Sequence, residues 1–202
     1  MKKQILGITG GIGSGKSEVL RILQEEYGAE VIKADIVAHE LMEPGQEVYR
    51  QVIAAFGREI LHPDGRIDRS LLGRLVFGRE EKRQLLNRLT HPAVKQEILR
   101  RIADSRTAFL VIEAALLLEE HYEEICEEIW YVYADRETRF ARLADSRGYT
   151  RKRAQAIMDR QLSEDDWRKR CQATVDNSGS LEQLRTELAR LLQERGFAAR
   201  FD

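Results

Sequence analysis

The sequence predicts an α/β protein: a parallel sheet flanked by helices, with one helical stretch inserted mid-chain and another near the end. Three observations carry this. An apolar run, Ile5-Leu6-Gly7-Ile8-Thr9, enters a glycine-rich turn that leads into the helix-like run Glu18-Val19-Leu20-Arg21-Ile22-Leu23. A second apolar run, Ala29-Glu30-Val31-Ile32-Lys33, follows that helix, as a parallel βαβ unit requires. Strand character then disappears until Ala108-Phe109-Leu110-Val111-Ile112 and Ile129-Trp130-Tyr131-Val132-Tyr133.

The turn is Gly10-Gly11-Ile12-Gly13-Ser14-Gly15-Lys16-Ser17, which fits G-x-x-x-x-G-K-[ST] between a strand and a helix. This makes the sheet a P-loop NTPase core. The glycines let the backbone wrap closely and aim its N–H groups inward at a polyphosphate. The new helix adds the positive end of its dipole. Lys16 can reach the outer phosphates, and the Ser17 hydroxyl can ligate Mg²⁺.

Composition narrows the partners. The chain has 202 residues, 43% of them hydrophobic, enough for one domain with a sizeable core. The formal net charge of -1 gives no case for nucleic acid or an acidic membrane. No apolar run is long enough for a membrane span or a signal-peptide core. Cys126 and Cys171 form no disulfide or zinc pattern, and two free thiols suit a reducing cytoplasm. Composition assigns no oligomeric state.

Taken in order, the first helix ends near Tyr27-Gly28, where glycine can close it. Asp35 lies just past the second strand, where open α/β sheets bind ligands. It suits two tasks at this point: facing the phosphate loop, or capping a helix over Ile36–Leu41. Pro44-Gly45 breaks the chain, and from Gln46 to about Ser105 the pattern is helical. Thr90-His91-Pro92 reads as a cap and first turn of a long helix running to Arg101. The acidic run from Glu119 to Glu128 reads as solvated surface.

After Asp135 come Arg136, Arg139, Arg142, Arg147, Arg151, Lys152, Arg153, Arg160, Arg168, Lys169 and Arg170. Most of these suit the outer faces of amphipathic helices. One or two suit a lid, because planar guanidinium groups grip phosphate oxygens in pairs. Ala173-Thr174-Val175 offers a final strand, and Leu181, Leu184, Leu188, Leu191 and Leu192 a closing helix. The predicted core is therefore about 1–44, 106–135 and 173–202, the helical insertion about 45–105 and the lid about 136–172.

A short phosphate-loop chain with an insertion and a late basic segment has the plan of a small kinase. Other small-metabolite or nucleotide kinases, and a nucleotide-binding switch, share the loop. A GTPase would also need an Asn-Lys-x-Asp element, which the sequence lacks.

The ordered motifs resemble the dephospho-coenzyme A kinase family. They are Thr9 to Ser17, Ala34-Asp35, Pro44-Gly45, Phe56-Gly57, Asp64-Gly65, Asp68-Arg69, Leu86-Asn87, His91-Pro92, Leu116-Leu117-Leu118-Glu119, Arg142-Leu143, Gln161 and Asp176-Asn177-Ser178-Gly179. The resemblance implies ATP-dependent phosphorylation of the ribose 3′-hydroxyl of dephospho-coenzyme A, the last step of coenzyme A synthesis, with Mg²⁺. It implies that Asp35 activates the acceptor, Arg142 is a lid arginine on the ATP phosphates, and Asn177 lies near the adenine. It makes the insertion an acceptor-binding part, with Arg69 and His91 as contacts. Gly11, Ile12, Gly13, Ser14, Gly15, Lys16 and Ser17 are the residues expected to hold the nucleotide. The sequence departs from the family at Lys33, Glu18, His39, Ala115 and Ser146, where Asp, Thr, Arg, Pro and Arg are usual.

Overall fold

The computed structural model describes residues 3–114 and 116–197, so the extreme ends of the predicted core and Ala115 lie outside it. β3 (Phe109–Glu113) and β4 (Glu128–Tyr133) are apolar and buried along nearly their whole length, as inner strands of a parallel sheet must be. They flank β1 (Gln4–Thr9), and with β2 (Glu30–Lys33) and β5 (Ala173–Asp176) give the order β2-β3-β1-β4-β5. β1 runs parallel to both neighbours, with Ile8 opposite Glu113 and Thr9 opposite Tyr131. The phosphate loop therefore leaves the middle strand, at the carboxyl ends where α/β proteins place their ligands.

One unit of the chain comprises 1–32 and 106–202. In it, α1 (Lys16–Tyr27) and α9 (Leu181–Arg195) bury a stripe each against the sheet. Val19, Leu20, Ile22 and Leu23 meet Leu184, Leu188, Leu191 and Leu192 in one cluster with Leu6, Ile8, Trp130 and Val132. Gly28 closes α1 at φ 63°, the left-handed conformation that glycine adopts without strain. The basic segment folds as α6 (Arg136–Arg147), α7 (Arg151–Met158) and α8 (Glu164–Arg170). Phe140, Leu143, Ala154 and Met158 form its apolar cluster, and Ile12 of the loop packs against it.

The other unit is 33–105, which takes in α2 (Ala34–Leu41) together with α3 (Glu47–Phe56), α4 (Arg69–Val76) and α5 (Glu80–Asp104). Val48, Val52, Phe56, Ile60, Ile67 and Leu72 make its core. One local expectation is corrected here and one open alternative falls away. No helix starts at Thr90-His91-Pro92: α5 runs through Pro92 unbroken. Proline removes one backbone donor, but Val94, Ile98 and Ile102 continue the buried face begun by Thr90. Leu85, Leu86 and Leu89 also pack on the unit's core, so tertiary burial outweighs one lost hydrogen bond. Nor is Asp35 a helix cap: Lys33 holds that position, and Asp35 is the second residue of α2. Among the described residues, no helix is long and apolar enough to cross a membrane.

Candidate active site

The loop's shape follows from its glycines and from what grips its carbonyls. Gly13 and Gly15 take φ 78° and 84°, in the left-handed region. A Cβ on Gly15 would also lie 2.2 Å from Asn177 Nδ2. Arg139 Nε donates to the Ile12 carbonyl at 2.8 Å. Asn177 Nδ2 and Arg142 Nη1 donate to the Ser14 carbonyl at 2.8 and 3.3 Å. In a trans peptide the N–H points opposite to its carbonyl, so the Gly13 and Gly15 amides face away from these grips. Neither amide has a protein acceptor among the described residues. Ser14 Oγ is buried and also unpartnered. Inward amides, a helix N-terminus and an orphaned hydroxyl together suit an anion.

Lys16 is the first residue of α1, and its ammonium donates to the Gly10 carbonyl at 2.7 Å. That places its charge across the loop's own backbone. Ser17 follows, exposed on the first turn. Among the described residues, no three His, Cys, Asp or Glu side chains form a metal cage. A lone hydroxyl suits Mg²⁺, which keeps several waters and takes its other ligands from phosphate oxygens.

Most of the basic segment is spent on its own surface. Arg151 pairs with Glu137 and covers the Phe140 ring, Arg168 pairs with Glu164, and Arg136 lies 3.5 Å from Asp159. Arg139 and Arg142, three residues apart on α6, instead reach the loop. Arg139 is half-buried, and desolvation lowers its pKa from the usual arginine range. It lines a cavity of about 370 Å³ with Tyr131, Gln161 and Trp167. Burial pushes the Tyr131 phenol up to about 12, and its ring stacks on Trp167 at 4.9 Å.

In the second unit, Asp35 is exposed on α2 and makes no hydrogen bond or ion pair among the described residues. Arg69 begins α4 and donates to Glu43 at 3.2 Å. His39 senses all three: burial and Arg69 lower its pKa, while Asp35 and Glu43 act against them. The structure thus brings Asp35, His39, Glu43 and Arg69 into one electrostatic neighbourhood. His91 lies mid-way along α5, half-buried.

Sequence reasoning picked out Arg142 and Asn177 but gave Arg139 no individual role. The available signal was the three-residue spacing of Arg139 and Arg142, which puts both on one helix face. Nothing local says which face meets the loop.

Comparison with known proteins gives the family. The dephospho-CoA kinase family model matches residues 4–183. A dephospho-CoA kinase of Carboxydothermus hydrogenoformans is 40% identical over 94% of this chain and 93% of its own. One of Geobacter metallireducens is 41% identical over 95% and 96%. The crystal structure of TT1252 from Thermus thermophilus superposes with a TM-score of 0.81 at 31% identity, covering 96% of this chain and 98% of that one. A phosphate loop gripped by side chains from α6 and β5's end, in a sequence matched almost end to end, leaves one assignment: the chain belongs to the dephospho-CoA kinase family.

Proposed function

We propose that this chain transfers the γ-phosphoryl group of ATP to the ribose 3′-hydroxyl of dephospho-coenzyme A, giving coenzyme A and ADP. The observation that carries this is the family match over residues 4–183, which spans the phosphate loop and the helical unit alike. In the transfer, the bond from the γ-phosphorus to the β–γ bridging oxygen breaks and a bond to O3′ forms. The hydroxyl proton goes to the Asp35 carboxylate, which also orients the acceptor. The transition state is loose, with charge spread over the equatorial oxygens. The Gly13 and Gly15 amides, Lys16 and Arg142 meet that charge with donors already held in place.

Gly11, Ile12, Ser14 and Ser17 complete the nucleotide's cradle. Ser17 would hold Mg²⁺, which supplies charge neutralisation on the phosphates. Asn177 has its amide on the loop, and its place at the end of β5 supports a neighbouring adenine contact. In the helical unit, Arg69 and His91 are the proposed acceptor contacts. The cytoplasm is the proposed compartment, consistent with two free cysteines.

The test is a coupled ADP-release assay with ATP, Mg²⁺ and a panel of acceptors: dephospho-coenzyme A, nucleosides, nucleoside monophosphates and shikimate. Turnover is expected with dephospho-coenzyme A. Well-folded protein that turns over only with another acceptor, or with none, overturns the assignment.

A further inference from the structure

Ile12 is the second of the four variable residues of the phosphate loop, and the motif leaves its identity open. The fold nevertheless holds it on three sides. Its carbonyl accepts from Arg139 Nε at 2.8 Å. Its amide donates to Gln161 Oε1 at 3.0 Å. Its side chain packs on the Phe140, Leu143, Ala154 and Met158 cluster of α6 and α7. The two gripping side chains are themselves joined, Arg139 Nη2 donating to Gln161 Oε1 at 3.3 Å. A closed ring of hydrogen bonds therefore runs from the Ile12 amide through Gln161 and Arg139 to the Ile12 carbonyl.

We propose that Arg139 and Gln161 are a positioning pair that latches the Ile12 peptide and so presets the phosphate loop for its nucleotide. For the nucleotide's identity this rests on the proposed function; the latch itself rests on geometry alone. Fixing the Ile12 carbonyl fixes the plane of the next peptide and turns the Gly13 N–H to the opposite side. A loop already in that plane loses less conformational entropy when a polyphosphate arrives. The latch also explains Gly11. A Cβ there would lie 2.5 Å from Arg139 Nη2 and 3.0 Å from Gln161 Oε1, within the ring. Charge supports the same reading. Arg139 is half-buried, and no carboxylate lies within ion-pair distance of it among the described residues. Glu164, across the same cavity, offsets part of that charge beyond ion-pair distance, and a phosphate anion in the loop would offset more. Lysine could not replace it, because one ammonium on a flexible stem lacks the planar fork that reaches both Ile12 and Gln161.

The experiment measures MgATP binding by calorimetry, without acceptor, for the parent and for Arg139→Met, Arg139→Lys, Gln161→Leu, Gln161→Glu and the Met/Leu double variant. Circular dichroism and melting confirm folding. Arg139→Met and Gln161→Leu are each expected to raise Kd about tenfold. Arg139→Lys is expected to raise it at least about threefold. The double variant should be no more than about twofold weaker than the worse single, because either change opens the ring. Gln161→Glu keeps an acceptor for both donors and should bind within about threefold of the parent. In amide exchange on the nucleotide-free protein, the Ile12 N–H should lose protection in Gln161→Leu and keep it in Gln161→Glu. Steady-state kinetics should show the KM for ATP rising while that for dephospho-coenzyme A moves less than about threefold.

Unchanged Kd in either single variant, additive losses in the double, or an Arg139→Lys protein that binds like the parent each overturn the latch. So does a rise confined to the KM of the acceptor, which would place the pair at the other substrate. A parent that binds MgATP but does not phosphorylate dephospho-coenzyme A would sink the proposed function and leave this comparison intact.

Discussion

Asn177 Nδ2 donates to the Ser14 carbonyl at 2.8 Å, so the end of β5 is tied to a loop 163 residues earlier in the chain. The amide is buried, and Arg142 reaches the same oxygen at only 3.3 Å. Removing it leaves a poorly satisfied carbonyl and an opening beside Gly15. Asn177→Ala is expected to cost about 1–3 kcal/mol of stability, the range for breaking a buried polar pair. Urea unfolding would show a lower midpoint at an unchanged slope. The same variant should bind MgATP more weakly, since the Gly15 amide is no longer held in its plane. A midpoint and an affinity both equal to the parent's would refute this role.

Asp35 and Lys16 should separate chemistry from binding. Asp35 lies in the first turn of α2, uncommitted to a cap or an ion pair. Asp35→Asn should retain MgATP affinity and lower kcat by about two to four orders of magnitude, the span for a positioned acid–base group. Lys16→Ala should instead weaken nucleotide binding as well as turnover. Isothermal titration beside the ADP-release assay distinguishes the two patterns. Full turnover by Asp35→Asn would leave the acceptor hydroxyl's proton without its proposed acceptor.

Ser180 closes α9 with a reciprocal capping box, accepting from the Gln183 amide while the Gln183 side chain accepts from its own. Two otherwise orphaned donors are satisfied this way. Because α9 supplies four buried leucines to the main core, its first turn matters to the whole unit. Ser180→Ala is expected to cost about 1 kcal/mol. For a chain of this size that lowers the melting temperature by about 2–4 °C, measurable by calorimetry. Nucleotide affinity should not change.

Both thiols should be inert in the folded protein. Burial pushes the Cys126 and Cys171 thiols up to about 12, from a usual value of 9.0. At pH 8 only about one in ten thousand would then be thiolate, the reactive form. Alkylation at pH 8 should be slow until denaturant is added. The same shift has a consequence for stability. Between about pH 9 and 12 the unfolded thiols lose protons that the folded ones keep, so stability falls as pH rises through that window. Labelling as fast in the native protein as in the denatured one would contradict the burial.

Several elements were legible because their signals are local. The glycines at 10, 13 and 15, followed by Lys16-Ser17, marked a strand, a loop and a helix in one continuous stretch. Continuous apolar runs at β3 and β4 announced strands buried on both faces. Pro92 shows where local reading failed: its effect on α5 is decided by packing against Val48, Val52 and Phe56 of α3 and Leu72 of α4, which a proline signal cannot report. For Asp35 local reading left two roles open, and the earlier start of the helix, with Lys33 at the cap, removed the capping role.

The sequence by itself determined the chemistry on offer: a polyphosphate cradle, a lysine, a helix N-terminus and a reserve of arginines behind it. These depend on residue types at fixed short spacings, which the chain states outright. Only the tertiary structure brought Arg139 to the loop beside Arg142. Arg139 meets Ile12 across 127 residues of chain, and its choice over Arg136 or Arg151 depends on how α6 is rotated above the loop. That rotation is set by Phe140 and Leu143 packing with Ile12 against α7. Helical phase relative to a distant partner is a property of packing, so no periodicity within the basic segment could have displayed it.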